Sequence, residues 1–184
     1  MQVEATTHSP ERPRNGATTK SAPTTPPTTV EGLLALDTDT LAALYAGASV
    51  PKLERIHGDL RGRMLAWQGA RGVFAGAIRT LGSWDSFPWR GKSFTALGSD
   101  NGEGINRVFS DRWKIFQFTT FVGPSRAGDF QAVQLDYDHP TNPFFIRAVK
   151  DEIRELSPGL FLGQAYLQLG QTDRLVLYFG LQQR

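Results

Sequence analysis

The 184-residue sequence contains no cysteine. This absence excludes disulfide bonds, thiol nucleophiles and thiolate metal sites, and it is compatible with a reducing cytoplasm. No segment carries a long run of like charges and the formal net charge is only +2, so neither a nucleic-acid partner nor an anionic membrane is indicated. No apolar run approaches the roughly 20 residues that a membrane-spanning helix requires, and no signal peptide is readable. We therefore expect a cytoplasmic protein without a membrane span.

Large apolar residues are almost absent from the first part of the chain. Residues 1–30 are rich in threonine and proline, a composition that cannot bury enough apolar surface to offset the entropy lost on ordering. We predict a disordered tail at 1–30 followed by a single domain at 31–184, which is long enough for a sizeable core. Nothing in the sequence indicates an oligomeric state.

The domain is dominated by apolar residues that recur at every second position, a pattern typical of β-strands. The pattern predicts strands at 60–67, 89–97, 105–110, 113–122, 129–137, 152–156, 159–168 and 174–182. Short turns rich in glycine, proline, asparagine and aspartate join most of them, and a meander of this kind protects its edges best by closing. We predict a mainly β protein, a closed or nearly closed eight-stranded antiparallel barrel of the lipocalin-like (calycin-like) type. A barrel of this size can hold one small ligand.

A few short helices interrupt the strand pattern. Helical spacing of apolar residues predicts them near 41–45, after Pro51, at 73–81 and after Pro143. We expect these helices to flank or plug the barrel.

The segment WRGKSF at 89–94 resembles the bacterial GXWXG-type proteins, which pair a W-x-G-K-x-F segment with a C-terminal strand, a short helix and a pair of strands. The second part is similar here at 135–138, 142–143, 160–163 and 178–179. The resemblance covers about residues 84–182 and implies a lipocalin-like barrel. It implies no particular chemistry.

The strand predicted at 129–137 carries an unusual row of polar residues. Side chains alternate between the two faces of a strand, so Gln134, Asp136 and Asp138 share one face, while Val133, Leu135 and Tyr137 share the other. Inside an apolar barrel, desolvation would raise the pKa of at least one carboxyl group and create a general acid or base. Facing water, the same residues would be an ordinary solvated surface. We predict Asp136 and Asp138 as catalytic residues, with Val133, Leu135 and Tyr137 packed under the helices.

Further residues could complete a pocket around these carboxylates. Gln164 and Tyr166 share a face of one strand above two leucines, which is typical of a pocket with an apolar base and a polar rim. Basic residues could neutralise a carboxylate or bind an acidic substrate group, although each could equally be a surface charge. The predicted binding residues are Gln134, Gln164, Tyr166, Arg61, Arg63, Lys92, Arg107, Trp89, Trp113 and Phe118.

No cofactor or metal is expected from the sequence. The glycine-rich loop at 98–104 lacks both the ending of a phosphate loop and the ligand spacing of a calcium loop. His139 would be a candidate haem ligand, but a histidine in a His-Pro turn is more often only a turn residue.

Two classes of function compete for such a barrel. The first is a cofactor-free isomerase or cyclase that folds a polyketide- or terpenoid-like substrate and moves one proton. The second is a carrier or sensor that binds a lipid-like ligand or haem without chemistry. A third reading is a partner-binding protein that uses the threonine- and proline-rich tail. In the first two, the partner is a small hydrophobic or amphipathic molecule.

Overall fold

Eight antiparallel strands close into a barrel in the computed structural model, which describes residues 27–68, 89–109 and 112–183. The strands are β1 (Gly58–Trp67), β2 (Trp89–Ala96), β3 (Asn101–Val108), β4 (Trp113–Pro124), β5 (Gln131–Asp136), β6 (Val149–Ser157), β7 (Leu160–Leu169) and β8 (Thr172–Gln182). Each strand pairs with the next in sequence, and β8 returns to pair with β1. The predicted eight-stranded antiparallel barrel is confirmed.

Short helices lie before and within the meander. They are α1 (Val30–Leu33), α2 (Thr38–Gly47), a single 3₁₀ turn (Leu53–Arg55) and α3 (Phe144–Arg147). The α2 helix begins where Asp37 accepts a hydrogen bond from the Thr40 N–H at 2.9 Å, which satisfies one of the unpaired donors of the first turn. The predicted helix at 73–81 and most of the predicted tail lie outside the described residues.

Two apolar clusters divide the core, because alternate residues of each strand face opposite sides of the barrel wall. The larger cluster fills the interior, where Leu60, Val133 and Phe161 come from three different strands. The smaller cluster lies on the outer surface, where α1 and α2 cover residues such as Leu160 and Leu162 of β7. Both faces of this part of the wall are therefore buried.

Glycines on the inner face of the barrel leave space for three aromatic side chains. A Cβ added to Gly62 would lie 2.5 Å from the ring of Trp89. One added to Gly104 would lie 2.4 Å from the ring of Phe118, its cross-strand partner. The third such pair is Gly163 with Phe179, at 2.2 Å. A glycine thus lies against each of these three rings.

Strand β6 begins earlier than the sequence pattern indicates. It starts at Val149 rather than near residue 152, and its first half pairs with both β5 and β7. Asp151 is consequently a strand residue whose side chain faces the interior, since it shares a face with the buried core residue Ile153.

No helix in the described part of the chain is long and apolar enough to cross a membrane.

Candidate functional site

A layer of polar side chains crosses the interior of the barrel. It is formed by inward-facing residues of β2, β3 and β6 and by the residue that follows β5. We call the five residues that are joined by hydrogen bonds the polar layer: Trp89, Lys92, Asn106, Tyr137 and Asp151. Lys92 and Asp151 are only 3% and 5% exposed, so both charged groups are removed from bulk water.

Lys92 lies at the centre of the polar layer. Its ammonium group donates to Asp151 Oδ2 at 2.9 Å, to Asn106 Oδ1 at 2.9 Å, and to the hydroxyl of Tyr137. An ammonium group has three hydrogens to donate, so all of them are used. Because a buried charge is tolerated only when it is paired and hydrogen-bonded, this arrangement explains how lysine can occupy an apolar barrel.

Asn106 connects Lys92 to Trp89 and to the backbone of β4. Its side-chain oxygen accepts from the Trp89 indole N–H at 3.0 Å as well as from Lys92. Its amide nitrogen donates to the Tyr137 hydroxyl at 3.0 Å and to the backbone oxygen of Phe116 at 3.3 Å. Phe116 is the extra residue of a bulge in β4 and has a positive φ of 61°. The strained bulge turns a backbone carbonyl toward the polar layer, as bulges near functional sites often do.

Aromatic rings surround the lysine ammonium group. Its Nζ lies 5.1–5.5 Å from four ring centroids, those of Trp89, Phe118, Tyr137 and Phe179. The rings favour a cation electrostatically while excluding water. Burial lowers the pKa of Lys92, and the charge of Asp151 opposes that shift. Burial together with the same carboxylate raises the pKa of Tyr137 well above its ordinary value, so its hydroxyl stays protonated.

The two oxygens of Asp151 differ in their surroundings. Oδ2 accepts from Lys92 at 2.9 Å and from the Tyr137 hydroxyl at 3.1 Å. Oδ1 is buried and has no hydrogen-bond partner among the described residues. A buried acceptor without a donor is rare in folded proteins and costs about 1–3 kcal/mol. Among the described residues, Oδ1 of Asp151 is thus the acceptor of the polar layer that is left without a hydrogen bond.

Apolar side chains above and below the polar layer differ in their exposure. Below it, toward the end where β1 begins, interior residues such as Leu60, Phe161 and Leu181 are fully buried. At the opposite end, six apolar residues that pack on the same core are only partly buried: Met64, Trp89, Phe116, Phe145, Ala148 and Val149. We call these six residues the apolar rim. The polar layer thus lies beneath a partly accessible apolar surface, which is the usual composition of a small-molecule site.

Three of the residues predicted from the sequence meet at this site. Trp89 and Lys92 belong to the polar layer, and the ring of Phe118 packs against Lys92 and Tyr137. All three lie on the inner face of the barrel, where a ligand-binding role requires them.

The predicted catalytic carboxylates lie on the outer face of this strand, which is the surface alternative that the sequence left open. Val133, Leu135 and Tyr137 face the interior, whereas Asp136 and Asp138 are on the outside. Asp136 accepts from Lys150 at 2.5 Å, and Asp138 accepts from Arg147 at 2.6 Å. Both carboxylates are partners in external ion pairs, and neither contacts the polar layer.

The external position of Asp136 has a testable consequence for acid stability. Burial raises the pKa of Asp136, but hydrogen bonds from Lys150 and from the Asp138 N–H, with the charges of Lys150 and Arg126, hold it below its ordinary value of 3.8. A carboxylate with a lowered folded-state pKa contributes stability that is present above its unfolded pKa and lost as the pH falls through the folded pKa.

We therefore expect Asp136→Asn to be less stable than the wild type at neutral pH, by the small amount typical of a surface ion pair, and the two proteins to converge at an acid pH below the lowered pKa of Asp136. Urea midpoints at both pH values measure this. A difference that is unchanged by acid would contradict the assigned ion pair.

The predicted binding residues Gln134, Gln164 and Tyr166 are also outside the barrel, which corrects their predicted role. Their strands run under α2 and the loop that follows β4, where Glu152 is fully buried. Glu152 accepts hydrogen bonds from Tyr45 at 3.0 Å and from Ser125 at 2.6 Å, with Gln134 at 3.4 Å. The Tyr166 hydroxyl donates to Gln164 at 2.5 Å. This external cluster is fully bonded and attaches α2 and the loop to the barrel wall.

The remaining predicted residues take structural positions as well. Arg61 and Arg63 form ion pairs with Glu31 on α1. Arg107 is buried on the face of β3 opposite to Asn106 and donates to the Leu60 carbonyl oxygen at 2.6 Å. The exposed Trp113 packs edge-on against Phe109. His139 is half-buried and contacts Thr141 within its turn at 2.7 Å.

Sequence reasoning missed Asn106, Tyr137, Asp151 and Phe179 as site residues. Each is a single residue in, or directly after, an otherwise apolar or mixed strand, so no local motif marks it. One signal was available, because Trp89, Lys92 and Phe94 lie close together in the WRGKSF segment, and a lysine between two aromatics in a strand indicates an unusual environment.

No family model and no curated protein matches the chain. Among solved structures, the chain is similar to a protein from Thermomonospora curvata, with a TM-score of 0.49 and 17% sequence identity over 81% of this chain and 88% of that chain. The class of protein is accordingly defined by the strands themselves: a closed eight-stranded barrel of the lipocalin-like type with a buried polar layer.

Proposed function

We propose that the barrel encloses a hydrophobic or amphipathic small molecule and acts on it as a cofactor-free acid/base isomerase or cyclase. The observation that supports this proposal is the buried carboxylate of Asp151, of which one oxygen accepts from Lys92 and Tyr137 and the other has no partner among the residues that the structure describes. A polyketide- or terpenoid-like molecule would provide the apolar body that the rim accommodates.

Asp151 would be the general base of this reaction. Its Oδ1 accepts a proton from the substrate, while Lys92 and Tyr137 keep Oδ2 hydrogen-bonded through the transfer. The same oxygen returns the proton to another atom of the substrate, so an isomerisation or ring closure needs no further reactant. Positioned acid/base groups of this kind contribute on the order of 10²–10⁴-fold to the rate.

The apolar rim would supply a further contribution to the reaction rate by positioning the substrate. Partly exposed rings such as Trp89, Phe116 and Phe145 can hold a flexible chain in one folded conformation above the carboxylate. Because the site holds the reacting atoms together, the reaction avoids an entropy cost that it would have in solution.

We also propose that the chain is related to the GXWXG-type proteins, since Trp89, Lys92 and Phe94 of the shared segment all face the interior.

A non-catalytic carrier or sensor is the second candidate. It is favoured by the complete use of the Lys92 hydrogens, because a layer whose donors are all hydrogen-bonded can hold a polar head group at its open acceptor without moving a proton. The two candidates differ in what Asp151 does, and one substitution separates them.

The test compares Asp151→Asn with Asp136→Asn, a carboxylate on the outer face of the barrel. Native and denaturing mass spectra of each purified protein show any retained ligand, and incubation with a panel of polyketide- and terpenoid-like compounds shows conversion. If the barrel is an enzyme, we expect Asp151→Asn to lose at least about 10²-fold in turnover while still binding the substrate. Asp136→Asn should keep the turnover of the wild type. Tyr137→Phe, which keeps the carboxylate, tests the same role if Asp151→Asn folds poorly.

A carrier gives a different result. The wild type would then release a discrete ligand mass on denaturation and convert no compound of the panel, and Asp151→Asn would change ligand retention without any change in turnover. Equal loss of turnover in Asp151→Asn and Asp136→Asn would contradict the assignment of Asp151 as the base.

A further inference from the structure

The hydrogen bonds of the polar layer can be counted completely within the described residues. Its donors are the three ammonium hydrogens of Lys92, the two amide hydrogens of Asn106, the indole N–H of Trp89 and the hydroxyl of Tyr137. Each of these hydrogens has an acceptor. The polar layer therefore has no donor left to offer to a ligand.

The acceptors are not all used. Asn106 Oδ1, the Tyr137 hydroxyl oxygen and Asp151 Oδ2 each accept two hydrogen bonds, and the Phe116 carbonyl oxygen accepts one. Asp151 Oδ1 accepts none, although it is buried. Among the described residues, the single open position of the layer is thus a carboxylate oxygen that can accept a hydrogen bond. A ligand group that binds there must donate one.

The charges of the layer limit which donor can bind. Lys92 and Asp151 form an ion pair at 2.9 Å, so together they carry no net charge. A ligand carboxylate or phosphate would find no donor here and would face the Asp151 oxygen in a site of low dielectric. A ligand ammonium group would add a second buried cation near Lys92. A neutral hydroxyl group meets neither difficulty.

The surroundings of Asp151 fix the direction of such a ligand. Its neighbours across the sheet are Leu135 and Ala165, and both are apolar. Among the described residues, the apolar rim lies toward one end of the barrel. A molecule that donates to Oδ1 therefore has its hydroxyl group in the polar layer and its apolar body against the rim.

We infer that the ligand of this barrel is an apolar alcohol or phenol that donates its hydroxyl hydrogen to Asp151 Oδ1, and that acids of the same shape are rejected. This inference rests on the proposed function, because it specifies the substrate class of the same site. In the acid/base reaction, the hydroxyl group would also be the position from which Asp151 takes its proton.

The test uses three matched sets of probes that differ only in the polar group. Geraniol, decanol and naphthol are each compared with the corresponding methyl ether and carboxylic acid, and binding is followed by tryptophan fluorescence and by native mass spectrometry. Since a hydrogen bond to a charged group stabilises binding substantially, we expect the best alcohol to bind about tenfold to hundredfold more tightly than its ether. The acid should bind more weakly than the ether.

Two variants show whether Asp151 causes the preference for the alcohol over the ether. The double variant Lys92→Met/Asp151→Leu replaces the ion pair by apolar side chains of similar size, so it should still bind the ether while losing the preference for the alcohol. Asp136→Asn, with its altered carboxylate outside the barrel, should keep that preference.

The outcomes separate the inference from the proposed function. Equal binding of alcohol and ether, or tightest binding of the acid, overturns the inference while leaving the enclosing barrel intact. Failure of every probe to bind up to its solubility limit counts against the enclosed ligand itself, and so against both. A preference for the alcohol that persists in the double variant would also overturn the assignment to Asp151.

Discussion

Replacing Lys92 with methionine is expected to lower the free energy of unfolding by about 3–5 kcal/mol, because it leaves the buried carboxylate of Asp151 without its counter-ion. The substitution keeps most of the side-chain volume, so the cost comes from the charge rather than from a cavity. It also leaves Asn106 Oδ1 and the Tyr137 oxygen with one donor fewer. Urea unfolding monitored by circular dichroism measures the change.

The matched control is Lys150→Met, which removes the lysine that pairs with Asp136 on the outside of the barrel. That pair is partly exposed, so its loss should cost no more than about 1 kcal/mol. The double variant Lys92→Met/Asp151→Leu should recover most of the lost stability, because removing both charges avoids an unpaired one. If Lys92→Met were no more destabilising than Lys150→Met, the buried ion pair would not be a structural element of this barrel.

Substituting Gly163 with alanine is expected to destabilise the protein by about 1–3 kcal/mol, the usual cost of overpacking a filled core. The added Cβ would lie 2.2 Å from the ring of Phe179, and that ring is itself buried at 2% exposure. Because Phe179 also contacts Lys92, its displacement would disturb the polar layer. Thermal and urea unfolding measure the cost, and tryptophan fluorescence reports the change around Trp89, which packs edge-on against Phe179.

Two further variants show whether the ring is the cause. Gly47→Ala adds the same methyl group at the end of α2, where nothing lies within 4 Å of it, so we expect little change in stability. Phe179→Leu in the Gly163→Ala background should recover part of the loss, since the smaller side chain leaves room for the methyl group. A Gly163→Ala variant as stable as the wild type would contradict the close packing of ring on backbone.

The architecture of this protein is readable from its sequence, whereas the orientation of its strands is not. Alternation of apolar residues and clear turn residues mark the strands, and closure follows from the need to cover their edges. The face of β5 that turns inward is ambiguous because both faces are buried. Gln134 is covered by the external cluster around Glu152, while Leu135 is covered by the barrel interior. A polar residue in such a strand can therefore be outside without being exposed.

The site itself is dispersed over the chain in a way that a local pattern does not reveal. Lys92 and Asp151 are 59 residues apart and meet only when β2 and β6 lie on opposite sides of the closed barrel. Asp151 was also hidden by the predicted start of its strand near residue 152, since the charged run around it suggests a loop. Contacts across the interior depend on the register of every strand between them, and only the structure supplies it.

The pairing of rings with glycines on the inner wall determines how the volume of this barrel can change. Replacing one of these glycines with a larger residue costs stability, because the added atoms would overlap the ring. Replacing the aromatic residue with a smaller one instead exposes the glycine backbone and creates a recess with a single substitution. Trp89, Phe118 and Phe179 each offer such a substitution. A lineage or a designer could thus enlarge the interior one ring at a time, and fit it to longer or broader molecules, without rebuilding the strands or moving the ion pair between β2 and β6.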